Sequence, residues 1–404
     1  MHARKTAPPV VALADDLSGA AEVAALLRQP TLLRLHPSAT TAPPDGEAVV
    51  VDLDSRQLPG TAAADAVRTA LAAHAGSGSE ADSGATTWYK KCDSLLRGNV
   101  GAEAGAFAEG ARALVIATAL PVGGRTVRDG VLRIGGVPLH ETDAWRAEEG
   151  CAPPRSVAQA FAPLPTAVVP LDVVRREPRR LAERLAELAG RGLHPVCDAE
   201  TDADLDAVAA AALQLGTGIR LLGSGGLAAA LGRILGTGMP EPPAATAGRP
   251  LLVVAGSAEP GLVAQIAHLE KDGAQHLPLH PDTLAARDRS PVPLPPLDPH
   301  GVTVLSIDGS GGVRPEAARE LVAGLARTAA ALPHAPDLVL TGGETARRVL
   351  DAMRITALRP VAEIHHGAVH SRTADGRSVV TRPGSFGDAD SLGRIVDALR
   401  PAHA

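Results

Sequence analysis

Uninterrupted apolar runs recur along this chain, each followed by a loop of small residues and then a stretch with helical spacing. Four segments share the pattern most clearly: "PPVVALADDLSGAAEVAALLRQ", "GIRLLGSGGLAAALGRILG", "RPLLVVAGSAEPGLVAQIAHLE" and "PDLVLTGGETARRVLDAM". Short Val- and Leu-rich runs without polar alternation suit strands buried on both faces. Helices between such strands imply parallel sheets with crossover connections. Further strands are expected at "EAVVVDLDS", "ALVIATAL", "TAVVPLD", "GVTVLSID" and "SVVTRPG", and "LPVGGRTVRDGVLRIGGVPLHETD" reads as a loop with a hairpin extension. The fold class expected is α/β, with mainly parallel sheets.

A length of 404 residues exceeds one ordinary core and points to two domains. "GTGMPEPPAATAGRP", from Gly236 to Pro250, has linker composition with strand patterns on either side. The expected division is 1–240 and 248–404. A polar Gly/Ser-rich insertion before Trp88 and a Pro-rich stretch from Asp288 to Gly301 read as surface connections.

With three Phe, one Tyr and two Trp, the interior must rest on Ala, Leu and Val. A net charge of −6, without a basic stripe interleaved with aromatics, argues against a nucleic-acid partner. No apolar run reaches membrane-spanning length, and the apolar segment near the N-terminus is too short for a signal peptide. Cys92, Cys151 and Cys197 are scattered, with neither disulfide nor metal-site spacing. A soluble cytoplasmic protein is expected, and a homo-oligomer is compatible with everything above.

Ligands of open parallel sheets bind beyond the carboxyl ends of the strands, where helix N-termini offer free N–H groups to anions. "TGGETA", from Thr341 to Ala346, suits phosphate best: Gly342 and Gly343 bring bare amides and Thr345 a hydroxyl. An ordinary tight turn in which Glu344 caps the helix fits the same residues. "GSGGLA" at Gly223 matches a loose dinucleotide fingerprint, G-x-G-x-x-A, but lacks a clear acidic partner downstream, so close helix–strand packing is the better reading. No G-x-x-x-x-G-K-[ST] loop exists in the chain. Adjacent His365 and His366 cannot easily converge on one metal, and Ser371 with His370 lacks a third triad member.

"WYKKCDSLLRGNVGAE" puts Lys90, Lys91, Asp93, Ser94, Arg97 and Asn99 within ten residues. On a strand, Lys90 and Lys91 point to opposite faces, so only one of them serves a site. Arg97 before Gly98 suits a loop whose guanidinium grips a carboxylate or phosphate. A solvated charged loop is the alternative, although the apolar setting argues against it. Arg125 and Thr126, after two glycines, offer either a second anion contact or a structural turn.

With these motifs in order, the chain resembles the four-carbon acid sugar kinase family nearly end to end. The family's A-D-D-[LF]-T-G-A is here "ADDLSGA", Ala14 to Ala20, and K-K-x-D-S-T-x-R-G-N is "KKCDSLLRGN", Lys90 to Asn99. P-x-x-G-R-T-x-x-x-G is "PVGGRTVRDG". G-S-x-S, T-G-G-[DE]-T and G-x-F-G correspond to "GSAEP" at Gly256, "TGGET" at Thr341 and "GSFG" at Gly384. Several linked motifs are far more specific than any one. The resemblance implies two Rossmann-like α/β domains, the N-terminal one binding the acid sugar and the C-terminal one ATP, with the active site in the cleft between them. It implies phosphorylation of the terminal hydroxyl of threonate, erythronate or an oxo-tetronate. Asp15, Ser18, Ser94, Arg97 and Gly98 would line the sugar site. Asp16, Asp93 and Lys91 would be catalytic, Asp16 first among the carboxylates for orienting the hydroxyl. Lys91 and Arg97 would hold the substrate carboxylate or the transferring phosphoryl group. Ser257, Gly342, Gly343, Glu344, Thr345 and Gly384 would hold the nucleotide through backbone amides, with Mg²⁺ bridging its phosphates. Ser18 for Thr keeps a hydroxyl; Leu95 for Thr loses one; Ala258-Glu259 replaces a Cys-Ser or similar pair and adds a carboxylate. The other functions weighed are an NAD-dependent dehydrogenase, resting on "GSGGLA", and a non-catalytic acid-sugar-binding protein.

Overall fold

A computed structural model describes residues 9–37, 47–74, 86–145, 151–238, 249–256, 260–286, 290–309, 317–333, 335–384 and 387–400. The insertion before Trp88, most of the Gly236–Pro250 segment and Ser257 to Glu259 lie outside the described residues. The chain divides into two compact units, Met1–Met239 and Pro240–Ala404.

In the first unit, the apolar runs form β1 (Val10–Ala14), β2 (Thr31–Arg34), β3 (Ala48–Asp52), β4 (Thr87–Lys91), β5 (Ala113–Ala117), β9 (Thr166–Val169), β10 (His194–Cys197) and β11 (Ile219–Gly223). They lie side by side in the order β2-β3-β1-β4-β11-β5-β10-β9, every pair parallel. All five residues of β1, β3 and β5 are buried, as strands covered on both faces require. The helices are α1 (Leu17–Leu26), α2 (Gly60–His74), α3 (Val100–Ala108), α4 (Val157–Ala160), α5 (Leu171–Val174), α6 (Pro178–Gly190), α7 (Asp202–Gln214) and α8 (Gly225–Leu235). Helices α1 and α8 approach backbone to backbone: a Cβ on Gly232 would fall 1.9 Å from the Leu26 carbonyl oxygen.

The hairpin extension is a separate antiparallel sheet of β6 (Arg125–Arg128), β7 (Val131–Ile134) and β8 (Val137–Pro138). Buried Asp198, just past β10, accepts from the turn N–H groups of Asp129 (2.7 Å) and Gly130 (2.9 Å) and so ties this sheet down. Val127 and Ala199 form a further bridge.

The second unit contains β12 (Leu251–Ala255), β13 (Gln275–Leu279), β14 (Val302–Ile307), β15 (Asp337–Thr341), β16 (Ala357–His365), β17 (Ala368–Arg372) and β18 (Ser378–Arg382). Its helices are α9 (Pro260–Lys271), α10 (Pro281–Leu284), α11 (Ala318–Ala330), α12 (Gly343–Ala352) and α13 (Ser391–Leu399). The order β13-β14-β12-β15-β18 is parallel, but β17 runs antiparallel to β18, and β16 antiparallel to β17. This sheet is therefore mixed. Leu251, Val253, Val304, Val339 and Val380 meet Leu262, Ile266, Leu392 and Ile395 in its core. No helix among the described residues is long and apolar enough to cross a membrane.

Candidate functional site

The register of the first sheet brings its chemistry to one edge. Ala14 of β1 stands opposite Asp52 of β3 and Lys91 of β4, and Lys91 stands opposite Gly223 of β11. The residues just beyond these ends are Asp15 and Asp16, Asp54 to Arg56, Cys92 to Arg97, and Ser224. Asp16 is the N-cap of α1, its Oδ1 accepting from the Gly19 N–H at 2.9 Å. This explains one of the two adjacent carboxylates by helix capping alone.

Arg56 joins the motifs. Its Nε donates to Asp15 Oδ2 at 2.7 Å and its Nη1 to Asp16 Oδ2 at 3.0 Å, while Nη2 lies 3.6 Å from Asp93 Oδ1. The loop is fixed from below, since the Asp15 carbonyl accepts from the Ser55 and Arg56 N–H groups. Gly98 has φ +80°, and a Cβ there would lie 3.2 Å from Arg56 Cγ, so glycine serves both the turn and the close approach. Arg56 is the residue that reading the sequence missed. The signal was its position past the carboxyl end of the "EAVVVDLDS" strand, where ligand-facing groups of a parallel sheet belong.

Asp93 is engaged on both oxygens. Arg97 donates to it twice, Nη2 to Oδ1 at 2.8 Å and Nε to Oδ2 at 2.9 Å, and the Leu95 and Arg97 N–H groups add bonds to Oδ2. Burial pushes this carboxyl up, but Arg97, Arg56 and Lys91 outweigh burial and hold it far below the usual carboxylate range. Asp15 follows the same logic: burial raises it, and Arg56, Lys90 and Lys91 hold it below its ordinary value. Its Oδ1 is buried without a hydrogen-bond partner, a strong acceptor left open.

Lys90 and Lys91 do point apart. Lys90, 1% exposed, pairs with buried Glu103 at 2.8 Å, and Glu103 also accepts from the Ser55 hydroxyl. Burial raises the Glu103 carboxyl, and Lys90 offsets only part of that. Lys91 lies 3.6 Å from Glu22 Oε2, and Glu22, Asp15, Asp16 and Asp93 raise its ammonium against the opposing effect of burial. Ser94 accepts from Arg125 of the hairpin sheet, and the Leu95 carbonyl accepts from Trp145 Nε1 at 2.8 Å. Ser18 lies in the first turn of α1. Asp15, Asp16, Lys91, Asp93, Ser94 and Arg97 thus form one charged, largely buried cluster with Arg56, Glu22 and Arg125.

The glycines of "GSGGLA" are used internally. A Cβ on Gly223 would fall 2.1 Å from the Ala117 carbonyl oxygen, on Gly225 2.2 Å from Glu22 Oε1, and on Gly226 2.5 Å from the Ala119 carbonyl oxygen. Close packing accounts for the motif.

In the second unit, Thr341 ends β15 and Gly342, at φ +89°, turns the chain into α12. Gly343, Glu344 and Thr345 form the first turn, whose N–H groups have no acceptor within the helix. A Cβ on Gly256 would fall 2.1 Å from Thr345 Oγ1, so Gly256, just past β12, lies against this turn. Gly384 follows β18 in a turn, and Ser257 lies outside the described residues. Among the described residues no group of three or more His, Cys, Asp or Glu side chains could hold a metal.

Two family models match the chain: a sugar-binding N-terminal domain over residues 10–231 and a nucleotide-binding C-terminal domain over residues 297–392. The class is thus a two-domain protein with a sugar half and a nucleotide half. A D-threonate kinase of Cupriavidus necator is 36% identical over 97% of this chain and 98% of its own length. A 3-oxo-tetronate kinase of Methylobacterium radiotolerans is 29% identical over 96% of this chain and 98% of its own. A solved protein of Salmonella typhimurium, 22% identical, shares the fold with a TM-score of 0.78 over 98% of this chain and all of that one. The chain belongs to the four-carbon acid sugar kinase family.

Proposed function

We propose that the protein is a cytoplasmic ATP-dependent kinase that phosphorylates the terminal hydroxyl of a four-carbon acid sugar of the threonate, erythronate or oxo-tetronate type. The observation that carries this reading is the meeting of "ADDLSGA" and "KKCDSLLRGN" around Arg56, which gathers three carboxylates and two arginines beyond the ends of β1, β3 and β4, with Lys91 at the end of β4. Asp16 is the most accessible of the three, its side chain 20% exposed against 3% for Asp15 and 7% for Asp93. In this reading Asp16 orients the attacking hydroxyl and takes its proton as the oxygen bonds to the γ-phosphorus and the bond to the bridging oxygen of ADP breaks. Asp15 accepts a hydrogen bond from a second hydroxyl through its open Oδ1. Lys91, at the base of the cluster, stabilises charge on the transferring group. Arg97 meets the substrate carboxylate, with Ser94 and Ser18 completing the sugar contacts and Gly98 letting the loop approach.

Gly342, Gly343, Glu344, Thr345, Gly384 and Ser257 hold the nucleotide phosphates in this reading, and bound Mg²⁺ supplies charge neutralisation there. The reaction requires the γ-phosphate held by one unit to meet the hydroxyl held by the other. The test is an ATP-consumption screen over threonate, erythronate, 3-oxo-tetronate and related acid sugars. ADP release with at least one of them is expected. No turnover with any, by protein shown to be folded, refutes the reading.

A further inference from the structure

Several enclosed cations of this protein have carboxylate partners: Lys90 has Glu103, Arg56 has three aspartates, and Arg347 has Asp351. Arg382 is held differently. It ends β18 opposite Thr341, it is 1% exposed, and its carbonyl accepts from the Gly342 N–H at 2.9 Å. Its Nη1 donates to Gln265 Oε1 and to Ser391 Oγ, both at 2.8 Å. Among the described residues its Nε has only a 3.4 Å contact with the Pro383 carbonyl, and Nη2 is buried with no partner. Burial alone pulls the guanidinium down, to about 10, with no neighbouring charge contributing. Among the described residues it is therefore a cation at neutral pH without a counter-charge, an arrangement that is strongly unfavourable unless an anion completes it.

The surroundings are built to hold this guanidinium still. Gln265 turns its amide NH₂ to the Gly387 and Asp388 carbonyls, at 3.3 and 2.8 Å. Ser391 Oγ also lies 3.0 Å from His365 Nε2. Gly387 has φ +98°, and a Cβ there would fall 2.3 Å from Ser391 Oγ. Two helices, α12 and α13, begin beside the strand end, at Gly343 and at Ser391 itself. An arginine fixed by neutral side chains, with one NH₂ open, at the carboxyl edge of a parallel sheet is a device for taking a phosphate.

We propose that Arg382 is a phosphate-binding residue of the nucleotide site, its open Nη2 donating to a phosphate oxygen of the nucleotide beside the Gly342–Thr345 turn. The inference rests on the nucleotide-binding part of the proposed function and adds the side-chain cation that the glycine loop lacks. It also explains the absence of a phosphate-loop lysine: the charge comes from the far end of the neighbouring strand.

The test measures binding by calorimetry, with no acid sugar present. ATP, ADP and adenosine are titrated into the full-length protein, Arg382→Gln and Arg382→Lys. ATP and ADP affinity should fall on the order of 10- to 100-fold in R382Q. Adenosine affinity should stay within about twofold, and R382K should recover part of the loss. ATP binding to folded R382Q at wild-type strength overturns the proposal, as does an equal loss for adenosine. Should R382Q not fold, R382K and the wild type decide. Tripolyphosphate should raise the melting temperature of the wild type in a salt-sensitive manner, and less so that of R382K; equal shifts, or none, overturn the proposal. Phosphate-dependent binding through Arg382 without turnover of any acid sugar refutes the kinase reading and leaves this inference standing. Turnover with undiminished ATP binding in R382Q does the reverse.

Discussion

Replacing Arg56 with methionine tests how the charged cluster is held. The substitution keeps an unbranched chain of similar reach but removes the donors to Asp15 and Asp16 and the charge facing Asp93. Taking one partner from a buried ion pair costs roughly 3–5 kcal/mol. The low end applies, because the Arg56 side chain keeps 21% exposure and Lys91 and Arg97 still oppose the carboxylates. A loss of about 3 kcal/mol lowers the melting temperature of a unit this size by roughly 6–12 °C. Both tryptophans, Trp88 and Trp145, belong to the first unit, so their fluorescence during urea or thermal unfolding reports that unit. Asp15 and Asp93 titrate below their ordinary range in the folded protein. Their contribution is therefore present above the unfolded carboxylate value, near 3.8, and is lost as the pH falls through the folded one. The gap between wild type and Arg56→Met should accordingly be full at pH 7 and shrink as the pH is lowered below about 4. A variant within about 1 kcal/mol of wild type at pH 7, or a gap that does not narrow in acid, refutes the account.

Three further outcomes are expected. Asp16→Asn should lower kcat about a hundredfold or more while ATP affinity is unchanged, because asparagine caps α1 equally well while the base is lost together with the charge facing Arg56; wild-type turnover moves that role to another carboxylate. Gly232→Ala should destabilise the first unit by about 1–3 kcal/mol, read by tryptophan fluorescence, since the new methyl meets the Leu26 backbone rather than a movable side chain. Of the three cysteines, only exposed Cys151 should react with a disulfide reagent at pH 8 in native protein: Cys92 and Cys197 are buried, and burial pushes the Cys92 thiol up to about 12. Rapid labelling of two or more thiols contradicts that.

The strands that bear the site were legible because "VVALA" and "AVVVD" are unbroken apolar runs, which a doubly covered strand produces and little else does. The antiparallel pair β16–β17 was not expected. Its first strand contains Arg359, Pro360 and Glu363 and is only partly buried, so no apolar run marks it. The site divides in the same way. Asp15, Asp16, Lys91, Asp93 and Arg97 lie in two short motifs, and local sequence carries them. Arg56 stands about 40 positions from each motif and is recruited by strand order, which no window on the sequence displays. Arg382 is hidden for another reason: in "SVVTRPG" it reads as the polar end of a strand, and only packing reveals a buried cation.

The hairpin sheet carries a practical consequence. Asp198 fastens its β6–β7 turn, while its β7–β8 turn is exposed at Gly135 and Gly136, where an added Cβ meets nothing within 4 Å; the Gly135 N–H donates to the Gly124 carbonyl, next to Arg125, which reaches Ser94. Backbone of that kind accepts foreign sequence without disturbing its anchor. A fluorescent domain or a pair of dye-labelled residues grafted at that turn would sit close to the arginine that contacts the charged cluster, so that, on the proposed reading, an optical signal would follow acid-sugar binding.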